Sequence, residues 1–185
     1  LPAIFASTPH GKNGFAHRHF SIPPHNSLLK DFKKNNYDIS YYYGCYRDID
    51  RYDNFLNVND IENIFIPKQE NIDEDIYNLM RENHRWGLDD KELFDIVIND
   101  RKSADNDKPF VDIIMTLSTH EPFIILENQD KYELMAKDFI EKNTSVSKTE
   151  KNAILKNLNV FACYLYMDEC VKNLINSYKK MGKYD

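Results

Sequence analysis

The sequence predicts an α/β fold, in which a layered, mixed and partly parallel sheet is flanked by helices. Segments rich in Tyr and Ile, typical of strands, alternate along the chain with segments whose apolar residues recur at the helical period. The strand expected from residue 109 runs into the polar sequence Ser-Thr-His-Glu. Because ligands of parallel sheets bind beyond the carboxyl ends of the strands, we expect a functional site at that point.

Composition excludes several classes of protein. A hydrophobic content of 42% over 185 residues is enough for a core, and a net charge of -6 argues against nucleic-acid binding. No apolar run reaches ~18 residues, so no membrane span is expected. Glycine-rich phosphate loops are absent, and three cysteines without a CxxC motif indicate neither a disulfide framework nor a zinc ribbon.

The first part of the chain is expected to hold one short helix and two strands. Residues 1–26 read as irregular after a short apolar start, and Asn26-Ser27 can cap a short helix. Two runs, YDISYYYG at 37–44 and IENIFIP at 61–67, predict strands. A brief helix or turn is expected between them, at 48–56.

A capped helix is the strongest local prediction. After one or two helical turns at 73–82, Asp89 and Glu92 have the spacing of a capping box. The apolar stripe that follows predicts a helix to about residue 100, and 101–108 reads as a charged connection.

The second part of the chain is expected to be mostly helical. The strand at 109–118 precedes a helix at 130–142 and then one long helix from about 149 to 181. Gly182 is a plausible residue to end that helix in the left-handed conformation. Cys163 and Cys170 fall near its buried edge and read as small core residues.

Four motifs occur together: WGLDDKELF from residue 86, PFVDIIMTLSTHEPF from 109, YLYMDECVKNLINS from 164, and MGKYD from 181. In their order and spacing the chain resembles the sulfatase-like enzymes of the alkaline phosphatase superfamily, and within them the lipoteichoic acid synthase or phosphoglycerol transferase group. The string Thr-Leu-Ser-x-His-x-Pro-Phe is the most specific part. The resemblance implies an alkaline-phosphatase-like fold, with residues 1–185 as the central part of a single catalytic domain.

The resemblance also implies metal-dependent chemistry on a phosphate or sulfate ester. In the family, a Thr, Ser or formylglycine-type nucleophile attacks phosphorus or sulfur while a divalent metal neutralises charge on the oxygens. We expect Mn, Mg, Ca or Zn in the full-length parent. The family's nucleophile is expected before Leu1, and an Asp-His pair of metal ligands after Asp185. The chain is therefore expected to be a fragment that is inactive by itself and holds no metal.

What the resemblance leaves in this chain is the substrate side of the site. It places the histidine that contacts phosphate or sulfate oxygens at His120. An imidazole suits this role because it can donate to an anionic oxygen and titrates near neutral pH. The alternative is a strand-end histidine capped by backbone groups.

Other candidates are more ambiguous. Arg47 and Asp48 can supply further substrate contacts, or be solvated loop residues. The glycerol-phosphate pocket of lipoteichoic acid synthases is not reproduced, because Cys45, Asp50 and Tyr52 occupy its acid, Trp and Arg positions by alignment. Trp86, just before the capped helix, reads as a packing residue rather than a substrate platform.

The resemblance implies an ester substrate that is linked to a lipid or a glycan. It also implies an enzyme tethered to a bacterial membrane and facing outside the cytoplasm, in the periplasm or at the cell surface. One rival hypothesis is a non-catalytic α/β module that retains the scaffold and binds a partner or polar ligand. Another is a small-molecule-binding domain with no link to the superfamily, which explains the composition but not the order of the motifs.

Overall fold

The chain divides into two compact units in a computed structural model, which describes residues 1–8, 22–46, 52–68, 74–82, 86–104 and 108–184. The first unit combines Leu1–Pro67 with Asp105–Met115, and the second combines Lys68–Ala104 with Thr116–Asp185. The described strands all belong to the first unit, and the described part of the second unit is built from helices and connecting segments.

The core of the first unit is a parallel sheet. Its strands are β1 (Asp38–Tyr43), β2 (Asn63–Phe65) and β3 (Phe110–Met115), in the order β2–β1–β3. Tyr41 of β1 lies opposite Ile64 and Ile113 of its two neighbours. Five consecutive residues of β1 are buried, as expected for a parallel strand covered on both faces. The three predicted strands are confirmed.

Three short helices complete the described part of the first unit: α1 (Pro2–Ala6), α2 (Leu28–Lys34) and α3 (Tyr52–Asn57). The Oγ of Ser27 accepts hydrogen bonds from the amides of Leu29 and Lys30, at 3.1 and 3.4 Å, which confirms the predicted cap. Helix α2 packs against β1. Helix α1 lies in the short apolar start of the chain, before the stretch predicted to be irregular, and residues 9–21 lie outside the described part of the chain.

The second unit is organised around its longest helix. Its helices are α4 (Glu74–Glu82), α5 (Asp90–Ser103), α6 (Gln129–Lys142), α7 (Lys148–Leu155) and α8 (Leu158–Lys180), and α8 contacts α5, α6 and α7. The buried side chains of α8 recur at helical spacing, at Ala162, Cys163, Tyr166, Cys170 and Leu174. None of the described helices is long and apolar enough to cross a bilayer.

Two helix boundaries differ from the prediction. The single helix expected over 149–181 is wrong, because the chain breaks at Lys156 and Asn157 into α7 and α8. The side-chain amide of Asn157 donates to the carbonyl of Ala153 at 3.0 Å, and such local bonds compete with a continuous helix. Helix α5 continues to Ser103, beyond the expected end near residue 100.

The predicted end of α8 is confirmed. Gly182 has a φ of 65°, a left-handed conformation that favours glycine. Its amide donates to the carbonyl of Lys179 at 3.1 Å, and the amide of Lys183 donates to Tyr178 at 2.9 Å. These two bonds form a Schellman motif, which satisfies carbonyls of the last turn.

The three cysteines are buried free thiols, and we predict that they resist alkylation in the folded protein. Burial raises the pKa of Cys170 to about 12, and the thiolate is the reactive form. Iodoacetamide at about pH 8 is expected to modify none of the three thiols before unfolding and all three in urea, as counted by mass spectrometry. Rapid alkylation of Cys170 in the native protein would contradict its burial.

Leu93→Ala is expected to lower the free energy of unfolding by about 2–5 kcal/mol, because Leu93 on α5 has no exposed surface and its truncation leaves a cavity. Leu134→Ala is the matched control, because Leu134 on α6 is 68% exposed, and a change within ~0.5 kcal/mol is expected. Urea unfolding followed by circular dichroism measures both. Equal losses in the two variants would refute this account of the core.

Candidate functional site

The segment that follows β3 in the chain carries the histidine predicted from the sequence. We call residues 117–126 the His120 segment. It begins at buried Leu117, is exposed at His120 and Glu121, and is buried again at Ile125. The amide of His120 donates to the carbonyl of Leu117 at 3.0 Å, and the amide of Phe123 donates to that of His120 at 2.8 Å. The exposed tip is therefore a tight turn.

The backbone of this turn is unusual. Phe123 has a φ of 57°, and the peptide bond between Glu121 and Pro122 is cis. A left-handed conformation is unfavourable for a residue with a Cβ atom and persists only where the surroundings impose it. The segment therefore needs firm attachment at its ends.

The imidazole of His120 is oriented by its own backbone. Its Nδ1 lies 2.7 Å from the carbonyl oxygen of Glu121, a distance at which Nδ1–H donates to that oxygen. This leaves Nε2 to contact a ligand, as an acceptor in the neutral ring and as a donor in the cation. The structure thus combines a ring whose Nδ1 is bonded to the backbone with a residue that is exposed as a whole.

Trp86 is the aromatic neighbour of His120. The two ring centroids lie 5.2 Å apart, and 42% of Trp86 is exposed. The expected packing role therefore applies to only part of its ring. A small depression lies here, with a volume of about 10 Å³, which is room for roughly one water molecule. Six residues line it: Trp86, Leu117, His120, Glu121, Pro122 and Ile124. Most of a bound ester would lie outside this depression.

The carboxylate of Asp90 fixes the start of the His120 segment. Asp90 is 1% exposed, and its Oδ1 accepts from the amides of Leu117 and Ser118 at 2.9 and 3.0 Å. The Oγ of Ser118 accepts from the amide of Asp90 in return, at 3.3 Å. Because Asp90 is the first residue of α5, the helix dipole also favours its negative charge.

Asp89 fixes the end of the same segment. It occupies the N-cap position of α5, but its side chain makes no capping hydrogen bond, so the predicted capping box of Asp89 and Glu92 is wrong. The Oδ2 of Asp89 instead accepts from the amide of Leu126 at 2.8 Å. The amide of Leu126 therefore occupies the oxygen that a capping box would direct to the first turn of the helix.

Buried polar groups surround these two aspartates. The hydroxyl oxygen of Tyr166 accepts from the amide of Lys91 at 3.1 Å, and burial together with the charge of Asp89 raises the pKa of that hydroxyl. Burial also raises the pKa of Glu92, whose Oε2 accepts no hydrogen bond from any described residue. Ionising a further carboxylate here is therefore unfavourable.

Of the predicted substrate residues, only His120 can be placed. Arg47, Asp48 and also Asp50 lie outside the described residues. Two of the three positions that align with the glycerol-phosphate pocket are described. Cys45 is fully buried and Tyr52 is half-buried.

Sequence reasoning missed the anchoring role of Asp89, Asp90 and Ser118. The available signal was a pair of adjacent acids at a predicted helix start, which we interpreted as a local cap. The sequence does not reveal that both carboxylates bond to a segment about 30 residues further on, with separations of 27, 28 and 37 residues.

The described residues do not fit the divalent metal that the resemblance implies. Across the described ranges, no three His, Cys, Asp or Glu side chains are grouped so that they could hold a metal ion. The Oδ1 of Asp90 is already occupied by two amide donors.

Comparisons with known proteins place this geometry in context. The family model described as Sulfatase matches residues 1–185. A lipoteichoic acid synthase, LtaP from Listeria monocytogenes, is 19% identical with a TM-score of 0.64, over 99% of this chain and 40% of its own. A protein in the alkaline phosphatase superfamily from Vibrio parahaemolyticus is 16% identical with a TM-score of 0.46. The match covers 83% of this chain and 31% of the Vibrio protein. No curated protein sequence matches the chain.

The chain therefore spans less than half the length of these two solved structures. The family match and the LtaP likeness confirm the predicted resemblance and the alkaline-phosphatase-like α/β fold. The three described strands are all parallel.

Glu92→Gln is expected to make stability less sensitive to pH. Burial raises the pKa of Glu92 above its ordinary value of 4.5, so the folded state holds the proton to higher pH than the unfolded chain does. Stability present at low pH is therefore lost as pH rises through the folded pKa, and removing the carboxyl removes that loss.

Urea unfolding at about pH 4 and about pH 7 measures this effect. We expect the free energy of unfolding of the variant, minus that of the wild type, to be larger at about pH 7 than at about pH 4. Glu141→Gln, on an exposed part of α6, is the control and should show no such gain. If the difference in free energy of unfolding between Glu92→Gln and the wild type is the same at both pH values, burial does not raise the pKa of Glu92.

Proposed function

Since this chain belongs to the sulfatase family, we propose that it is part of a metal-dependent enzyme that cleaves or transfers a phosphate or sulfate ester. We propose that residues 1–185 lie in the central part of a single catalytic domain. The observation that carries the proposal is His120, which stands exposed at the tip of a segment anchored at both ends. Its role is to bind the anionic group of the ester.

The chemistry of His120 follows from its two nitrogens. Nδ1–H is directed to the carbonyl oxygen of Glu121, which holds the ring in one orientation. In the cationic form, Nε2–H donates a charge-assisted hydrogen bond to an oxygen of the phosphate or sulfate, and such bonds are stronger than neutral ones. Trp86 borders this contact and gives the ester an aromatic surface beside its charged group.

A divalent metal ion, when bound, neutralises the anionic oxygens in reactions of this kind. None of the described side chains forms a group that fits such an ion. We therefore infer that this part of the chain acts on the substrate through His120, while the nucleophile and metal ligands come from residues other than those described. From the resemblance, we also propose that residues 1–185 are inactive by themselves.

We further propose the surroundings in which the enzyme works. The ester is linked to a lipid or glycan, and the protein is tethered to a bacterial membrane and faces the periplasm or the cell surface. The support is the fold likeness to a protein described as a lipoteichoic acid synthase. Arg47 and Asp48 are proposed as further substrate contacts.

A non-catalytic binding module is the second candidate. It is favoured because the hydrogen bonds that hold both ends of the His120 segment are accepted by protein side chains. Among the described residues, no group of side chains could hold a metal ion. Such a module would bind inorganic phosphate or sulfate through His120 but would show no turnover with any divalent metal.

His120→Ala in the complete protein is expected to lower kcat/KM for p-nitrophenyl phosphate or p-nitrophenyl sulfate by at least about tenfold, with Mn²⁺ present. The loss follows from removing a donor to the anionic oxygens. Colorimetric release of p-nitrophenol measures it, and circular dichroism checks that the fold is retained.

His25→Ala is the matched control, because His25 lies in the first unit and its Nδ1 also contacts a backbone carbonyl, that of Pro23, at 2.8 Å. It should retain wild-type turnover. If His120→Ala also retains it, His120 does not bind the ester. If the wild type binds sulfate but turns over neither ester, the binding-module candidate is supported instead.

A further inference from the structure

Two neighbouring carboxylates hold the two ends of the His120 segment. Asp90 accepts the amides of Leu117 and Ser118 at its start, and Asp89 accepts the amide of Leu126 at its end. Between these anchors, the Oε1 of Gln129 adds a neutral bond by accepting the amide of Ile125 at 3.1 Å. The charged acceptors therefore lie at the ends and the exposed imidazole lies between them.

The hydrogen bonds from the backbone amides to Asp89 and Asp90 are stronger than a typical bond between neutral groups. Both aspartates are almost fully buried, at 2% and 1% exposure, so water competes little for their oxygens. A hydrogen bond to an ionised acceptor is roughly twice as strong as a neutral one. The aspartates begin α5, a helix of 14 residues that packs on α8, so the anchors stand on a rigid element.

The side chain of Asp89 is not used as a helix cap. Asp is among the preferred N-cap residues because its side-chain oxygen accepts amides of the first helical turn. Here no such bond is made, although Asp89 has the extended backbone of an N-cap residue. The carboxylate serves the His120 segment in place of its own helix.

We propose that Asp89 and Asp90 are positioning residues that hold the imidazole of His120 toward the anionic group of the substrate. This inference rests on the proposed role of His120 in anion binding. The aspartates do not touch the ligand. They act by fixing the two ends of a turn whose Phe123 is in an unfavourable left-handed conformation. A released end would let the turn relax and move Nε2 away from the anion.

The test uses the complete protein and two readouts. Hydrogen–deuterium exchange reports the amides of Leu117, Ser118 and Leu126, and calorimetric titration with inorganic phosphate and sulfate reports anion affinity. Asp90→Ala is expected to speed exchange at the first two amides and to weaken anion affinity by about tenfold, since small misplacements cost that much or more. Asp90→Asn should recover part of the affinity, because its amide oxygen can still accept both donors.

Asp89→Ala is expected to show the complementary pattern. Exchange should rise at Leu126 while Leu117 and Ser118 stay protected, and anion affinity should again fall. Tyr166→Phe is the matched control, because it removes the hydroxyl that accepts the amide of Lys91 at the start of α5 and that also bonds to Cys170. The three hydrogen bonds between the aspartates and the His120 segment stay in place. Its affinity should stay within about twofold of wild type.

Three outcomes would overturn the inference, and each is distinct. In the first outcome, Asp90→Ala speeds exchange at the amides of Leu117 and Ser118 but retains wild-type anion affinity, while His120→Ala loses that affinity. The aspartates then do not position His120, and the proposed function stands. If His120→Ala binds anions as the wild type does, the proposed function itself fails, and with it the positioning role. If Tyr166→Phe weakens binding as much as Asp90→Ala, the effect is general destabilisation of α5.

Discussion

The carboxylate of Asp90 joins two parts of the second unit that are far apart in sequence. Asp90 is the first residue of α5, and its Oδ1 accepts two amides of the His120 segment. Its backbone amide in turn donates a hydrogen bond to the Oγ of Ser118. A buried ionised carboxylate is costly unless hydrogen-bonded, and one oxygen of Asp90 accepts nothing from the described residues. The two amide donors and the positive end of the α5 dipole offset that cost, so the helix start and the turn depend on each other.

Much of the architecture follows from local patterns. The three strands were predictable because β-branched and aromatic runs are bounded by turn residues, and Ser27 and Gly182 act through chemistry confined to a few neighbours. The family was predictable because the motif around His120 is specific. That histidine was located from its motif alone, and its role in binding an ester remains a prediction.

The rest of the site could not be predicted, because it depends on contacts distant in sequence. The spacing of Asp89 and Glu92 fits a capping box, yet the oxygen of Asp89 is taken by an amide 37 residues away. The break between α7 and α8 depends on a side-chain bond of Asn157 that apolar periodicity does not register. Arg47 and Asp48 lie outside the described residues, so their proposed contacts rest on the sequence alone.

The ring contact between Trp86 and His120 gives the protein a built-in optical sensor. Trp86 is the sole tryptophan of the chain, so fluorescence excited selectively in the indole band comes from this one position. An imidazolium ion quenches a nearby indole more strongly than a neutral imidazole does, and the two rings are 5.2 Å apart. The emission therefore senses both the charge and the placement of the histidine, without any label attached to the molecule.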